Sequence, residues 1–402
     1  MLEAVLRRGH TLASAAAASR GLPANQALAL AIAGETLRRL PDLDSWIDSA
    51  TQRPLPDDSK ARMVLRLALA QKVGLGTPDH AVVATALPLV DGGPRRLVHG
   101  VLGNLLRKPV PAMDPPRLPP PVEQRWAEQW GEEVVLAARR QIAARPPLDL
   151  SFKDEGSAQA FAETAGGSSL AARSVRIDSS NITALSGFKE GGWWVQDLAA
   201  SLPARLIPAS AESVLDLCAA PGGKTMQLAA AGHQVTAVDS SADRLKRLRS
   251  NLDRTGLDAQ LVTGDARGWK PDQAPDAILL DVPCSATGTF RRHPEVLYRA
   301  RPAIVEQMAE LQRELLDHSS SLLGPDGILV YATCSLERAE GEDVIAAFIA
   351  ANPGFAILPP KPGELPDFAS AASEGWVRIL PGTLESEGGL DGFFIARLVR
   401  SA

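Results

Sequence analysis

Leu215-Asp216-Leu217-Cys218-Ala219-Ala220-Pro221-Gly222-Gly223-Lys224-Thr225 reads as an apolar strand that runs into a glycine turn and then into a helix. Pro221-Gly222-Gly223 supplies a tight turn with no side chain in the way, so that backbone N–H groups can face a ligand. Outward from this stretch the pattern repeats. Apolar runs predict strands over 214–217, 235–238, 260–263, 277–282 and 328–333, and amphipathic stretches predict helices over 224–231, 241–255 and 303–323. Continuous apolar strands alternating with helices imply a parallel, doubly wound α/β sheet covered on both faces. The run Gly392-Phe393-Phe394-Ile395-Ala396-Arg397-Leu398 would be an edge or hairpin strand.

In such a sheet, ligands bind beyond the carboxyl ends of the strands. Asp239 closes the second strand seventeen residues after Gly222, close to the offset expected of an acid that reads ribose hydroxyls. Asp265 ends the third strand and can accept from an adenine amino group. Asp281 ends the fourth and can meet a cationic amino group or a base edge. A lone strand-end Asp usually caps the following helix; a series of three beside a glycine turn argues for a nucleoside-like ligand. The turn lacks the G-x-G-x-x-G spacing of a dinucleotide site. S-adenosyl-L-methionine, which needs no pyrophosphate cradle, fits better.

Two cysteine motifs, Asp281-Val282-Pro283-Cys284-Ser285 and Ala332-Thr333-Cys334-Ser335, each close a predicted strand, so both thiols would open onto the same crevice. A free cysteine is more often a small buried hydrophobe than a nucleophile, and Cys218, inside an apolar turn, keeps that reading. For Cys284 and Cys334 the strand-end position favours chemistry. Carbon 5 of cytosine is too weak a nucleophile to take a methyl group directly. A thiolate added to carbon 6 makes carbon 5 enamine-like, and loss of the carbon 5 proton with elimination of the thiol completes the reaction. Such a scheme needs a thiolate, a group that hydrogen-bonds the base at nitrogen 3 and a base for the last proton. Cys334, Cys284 and Asp281 are the candidates, and the chemistry leaves open which thiol attacks.

The chain has 402 residues, enough for two or three domains. The stretch 109–121 contains 7 prolines in 13 residues and reads as an extended linker. Before it, apolar periodicity over 25–40 and 60–73 makes 1–108 an all-α domain. After it, a helix over 122–140 bearing Trp126 and Trp130, strands over 148–152 and 174–177 and a helix over 157–164 form a small α/β pre-domain, 122–195. The doubly wound domain occupies 196–402. Net charge is −5, but residues 1–140 carry 18 Lys and Arg against 14 Asp and Glu, so the amino-terminal third is basic. Any RNA affinity would draw on it. The stretch 288–301, with Arg291, Arg292, Arg299 and Arg301, is a second basic patch, whereas Arg244, Lys246, Arg247 and Arg249 read as a solvated helix face. Trp193 and Trp194 read as core. Three cysteines without metal-ligand spacing and scattered histidines argue against disulfides and metal. With no apolar run of membrane length, a cytoplasmic monomer is expected.

Together these motifs resemble the RNA cytosine-5 methyltransferases of the Sun/Fmu, or NOP2/Sun, family. The resemblance rests on Cys218-Ala219-Ala220-Pro221-Gly222-Gly223-Lys224, on Asp281-Val282-Pro283-Cys284-Ser285-Ala286-Thr287-Gly288, on Thr333-Cys334-Ser335 and on Asp391-Gly392-Phe393-Phe394. It covers about 122–400 and implies a Rossmann-like S-adenosylmethionine methyltransferase domain. By this resemblance Cys334 is the nucleophile and Cys284 assists breakdown of the adduct. Segment 218–224 with Asp239, Asp265 and Asp281 would hold the cofactor. The helical amino terminus is similar to the NusB-type RNA-binding fold, although His99-Gly100-Val101-Leu102-Gly103-Asn104-Leu105-Leu106-Arg107 departs from the usual Asn-Ala-Val-Leu-Arg pattern. The implied substrate is RNA, with 16S ribosomal RNA first, transfer RNA as the alternative, and a non-catalytic NusB-like antitermination factor as the competing class.

Overall fold

The computed structural model describes residues 1–19, 26–179 and 181–400 and divides into two compact units. One comprises Met1–Arg145 with Phe290–Arg301, the other Pro146–Thr289 with Pro302–Ala402. Residue 25, where the helix predicted over 25–40 opens, lies outside the described residues.

The first unit is helical: α1 (Leu2–Arg8), α2 (Leu12–Ala17), α3 (Gln26–Arg38), α4 (Leu40–Asp48), α5 (Lys60–Gly74), α6 (Asp79–Ala86), α7 (Gly92–Leu105), α8 (Pro120–Trp130) and α9 (Glu132–Ala143). Ser59 caps α5 by accepting from the Arg62 N–H at 3.2 Å, and the apolar face of α5 carries the core of Leu43, Ile47, Leu65, Leu69, Val98 and Leu102. The single helix expected over 122–140 is two, because Gly131 at φ 87° breaks it. Both fall in this helical unit.

The second unit opens with β1 (Leu148–Phe152), α10 (Glu155–Ala165), β2 (Ser168–Ala171), β3 (Ser174–Ile177) and β4 (Trp193–Val195). These strands form an antiparallel sheet in the order β2-β3-β1-β4. Trp193 and Trp194 are buried in it, as read from the sequence. Next come α11 (Leu198–Arg205), β5 (Ser213–Leu217), α12 (Gly223–Ala230), β6 (Gln234–Asp239), α13 (Ala242–Thr255), β7 (Gln260–Thr263) and β8 (Ala277–Asp281). The short α14 (Val296–Arg299) belongs to the helical unit; α15 (Pro302–Ser321), β9 (Ile328–Thr333), α16 (Glu342–Ala351), β10 (Phe355–Ile357), β11 (Val377–Ile379) and β12 (Phe393–Arg400) complete the chain.

The large sheet runs β10-β12-β9-β8-β5-β6-β7, with β11 also on β12. Strands β5 to β9 pair in parallel, and β12 runs antiparallel to β9. Alternation along each strand divides the core: Val214, Ala277, Leu279 and Val330 face one layer, Leu215, Leu217, Ile278, Leu280 and Leu329 the other. The terminal strand is not at an edge. β12 has β9 on one side and β10 and β11 on the other, and its apolar residues on both faces reflect that central place. Successive strands move outward from β5 through β6 to β7 and then restart at β8 on the other side of β5. The switch point of the sheet therefore lies between the ends of β5 and β8. Among the described residues, no helix is long and apolar enough to cross a membrane.

Residues 290–301, read as a basic patch, are instead anchored in the helical unit. Phe290 meets Trp126 edge-on at 5.5 Å between ring centroids, Tyr298 donates to the Leu37 carbonyl at 2.7 Å, and Arg299 donates to the Gly9 carbonyl at 2.7 Å. Arg291 and Glu295 are buried there.

Candidate active site

A cavity of about 740 Å³ opens at the switch point. Its wall includes Cys218, Ala220, Pro221, Asp239, Asp265, Asp281, Cys284 and Cys334. Residues from the ends of five strands thus share one space. Of the other expected residues, Ala219, Gly222, Gly223 and Lys224 complete the turn without lining the cavity, and Lys224 reaches it through its partner.

The turn is built against the strand ends. Cys218 adopts φ 61°, after which the Ala219 N–H pairs with the Val238 carbonyl at 3.1 Å. The Ala220 N–H donates to Asp239 Oδ2 at 3.1 Å, and the Ser241 N–H donates to Oδ1 at 2.9 Å. Gly222, at φ 102°, leads into α12 in a conformation that side chains disfavour. Arg244 is exposed on the solvated helix face expected from the sequence, and its guanidinium also pairs with Asp239 at 3.3 Å and lines the cavity. A carboxylate offers about four lone-pair sites, and these contacts take up three of those of Asp239. Asp265 lies just past β7, half-exposed, and the Arg267 guanidinium beside it holds its carboxyl down at about 2. Lys224 Nζ donates to Asp281 Oδ2 at 2.7 Å and stands 5.1 Å from the centre of the Phe393 ring.

The two sulfurs, Cys284 Sγ and Cys334 Sγ, are 3.4 Å apart. The loops that carry them are tied backbone to backbone: Val282 N–H to the Ala332 carbonyl at 3.0 Å, and Gly288 N–H to the Cys334 carbonyl at 2.9 Å. The hydrogen bond to Cys284, then burial, then the neighbouring Asp281 charge push the Cys334 thiol well above its ordinary range, while Lys224 opposes this. Cys218 is pushed up to about 12, by burial first and then by the carboxylates around it, so its thiol stays protonated and serves as packing.

A Cβ placed on Gly288 would lie 2.1 Å from the Gly392 carbonyl oxygen and 2.8 Å from that of Cys334. Both obstacles are backbone, so neither can rotate away. Gly288→Ala is expected to cost about 1–3 kcal/mol of stability, read as a lowered midpoint of thermal unfolding, and to reduce turnover by moving the Cys334 loop.

Sequence reasoning missed a buried polar cluster beneath the thiols. Glu340 accepts from the Ser285 N–H at 2.8 Å, from Gln312 Nε2 at 3.1 Å and from the hydroxyls of Ser285 and Ser335. Burial pushes its carboxyl up, and these four donors pull it back. The only signal in the sequence is an acid six residues beyond Cys334, which by itself reads as surface.

Residues 203–399, a span containing every site residue above, match the family model described as 16S rRNA methyltransferase RsmB/F. Ribosomal RNA small subunit methyltransferase B of Pseudomonas putida is 35% identical over 402 aligned positions, covering 91% of this chain and 88% of its own length. The chain belongs to this methyltransferase family. The protein of the same name from Vibrio cholerae is 33% identical over 98% of this chain and 94% of its own. Residues 2–107 match the NusB family. The crystal structure of PH0851 superposes with a TM-score of 0.73 at 26% identity, covering 93% of this chain and 90% of that one.

Proposed function

We propose that the protein methylates carbon 5 of cytosine in small-subunit ribosomal RNA with S-adenosyl-L-methionine as donor, through a covalent bond between Cys334 and the base. The observation that carries this reading is the pair of thiols 3.4 Å apart on the wall of the cavity that also holds Asp239 and Asp281.

The residues present fit the donor. The cavity lies within the roughly 300–1,000 Å³ usual for small-molecule sites. Asp239, fixed by two backbone N–H groups, is ready to accept from ribose. Asp265 is placed for the adenine amino group, and the acidic wall favours a sulfonium cation. When bound, S-adenosyl-L-methionine supplies an electrophilic methyl group.

This chain's own residues do the rest. Asp281, braced by Lys224, meets the edge of a cytosine extruded from its strand. Cys334, its thiol proton lost to solvent, bonds as thiolate to carbon 6, and the electron pair displaced from the double bond makes carbon 5 nucleophilic. Once carbon 5 carries the methyl group, its proton passes to Cys284 Sγ, which stands beside the sulfur that attacked. The Cys334 bond to carbon 6 then breaks and its electrons restore the ring double bond. The basic helical region, 1–108, delivers the RNA.

Because the Cys334 thiol is raised, only a small fraction is thiolate near neutrality. Adduct formation in single turnover is therefore expected to climb about tenfold per pH unit between about pH 6 and 8; a flat profile would contradict attack by Cys334 thiolate.

The direct test uses methyl-labelled S-adenosyl-L-methionine and total RNA from cells lacking the protein. Label in 5-methylcytosine of the small ribosomal RNA is expected. Label in transfer RNA would move the substrate, and no label in any RNA would sink the enzymatic reading.

A further inference from the structure

Glu340 is fully buried, six residues past Cys334, and plays no part in the chemistry above. Its carboxylate faces donors only. Oε1 takes the Ser285 N–H and Gln312 Nε2, and Oε2 takes the hydroxyls of Ser285 and Ser335. Ser285 directly follows Cys284, and Ser335 directly follows Cys334. The carboxylate is thus bonded to the residue after each thiol.

Neighbours make this arrangement rigid. Tyr331, on the strand leading to Cys334, donates its hydroxyl to the Glu340 carbonyl at 2.7 Å. Gln312, on α15, also donates to the carbonyl of Pro283, just before Cys284, at 2.9 Å. The Leu336 N–H donates to Thr287 Oγ1 at 2.9 Å, and the Glu337 N–H to Ser335 Oγ at 3.0 Å. Burying a carboxylate this deeply is costly unless its hydrogen bonds are complete. Here the bonds it completes are those that register one cysteine loop against the other.

We infer that Glu340 is a positioning residue whose carboxylate clamps the loops after Cys284 and Cys334 and so keeps the two sulfurs in hydrogen-bond contact for adduct release. The inference rests on the proposed covalent chemistry for its consequence, but the clamp itself can be read without RNA. Glu340→Gln keeps the shape and turns one acceptor into an NH₂ donor facing other donors. A displacement of even about 1 Å between reacting groups is enough to change rates by orders of magnitude.

The probe is diamide, which takes two electrons and two protons from a pair of thiols and leaves a disulfide. Applied to the full-length protein, with the product peptide joining Cys284 and Cys334 identified by mass spectrometry, it measures how readily the sulfurs meet. The wild-type protein is expected to close this disulfide, and Glu340→Gln to close it at least about tenfold more slowly while accumulating RNA adduct as Cys284→Ala does. Closure by Glu340→Gln at the wild-type rate would overturn the inference. Should Glu340→Gln fail to unfold cooperatively, Ser335→Ala, which removes one of the four donors, gives the reading: slower closure supports the clamp and unchanged closure refutes it. If the clamp is seen but no RNA is methylated by the wild type, the proposed function fails and the positioning role stands.

Discussion

Cys334→Ala is expected to abolish methyl transfer, by on the order of 10⁴-fold or more, and to leave no covalent RNA adduct on denaturing gels. Cys284→Ala is expected to act in the opposite way on the adduct, which should accumulate while turnover falls. The two sulfurs are chemically alike and only 3.4 Å apart, so sequence position alone does not separate their roles. Their environments differ: Cys334 directly follows strand β9, where its carbonyl is fixed by Gly288, while Cys284 lies three residues past the end of β8. Adduct lost in Cys284→Ala and retained in Cys334→Ala would reverse the assignment.

Asp239→Ala is expected to weaken S-adenosyl-L-methionine about 100-fold, or about 2.7 kcal/mol, by titration calorimetry. Two effects add. The proposed ribose acceptor is lost, and the N–H groups of Ala220 and Ser241 lose the carboxylate that shapes the turn; a buried donor left unpaired costs about 1–3 kcal/mol. Arg244, released from its partner, adds an uncompensated positive charge to a cavity meant for a sulfonium. An unchanged affinity would remove Asp239 from the donor site.

The parallel strands were legible because a strand buried on both faces is a continuous apolar run, as Ile328 to Thr333 is. β10 and β11 were not, since three residues carry no period. The apolar run of β12 is visible, but its pairing partners, brought from 355–357 and 377–379, are not, and so the sequence suggests an edge or hairpin strand. Strand ends beside a glycine turn made Asp239, Asp281, Cys284 and Cys334 readable as a group. The pairing of Arg244 with Asp239 was not legible, because Arg244 lies off the apolar stripe of Leu245, Leu248 and Leu252 and meets Asp239 only through the closeness of α13's first turn to the end of β6. Glu340 escaped because its partners Ser285, Gln312 and Ser335 meet it only in three dimensions.

The excursion of the chain through 290–301 has a practical meaning for anyone cutting this protein into pieces. The sheet-bearing unit gives up its chain after Thr289 and regains it at Pro302, with the intervening residues folded among helices encoded hundreds of positions earlier. No single cut separates the halves. Removing residues 1–145 strands Phe290, Arg291 and Glu295 without the helices that bury them, beginning only six residues downstream of Cys284. Because each unit is assembled from two stretches of chain, a fragment that keeps the fold of either must carry both stretches.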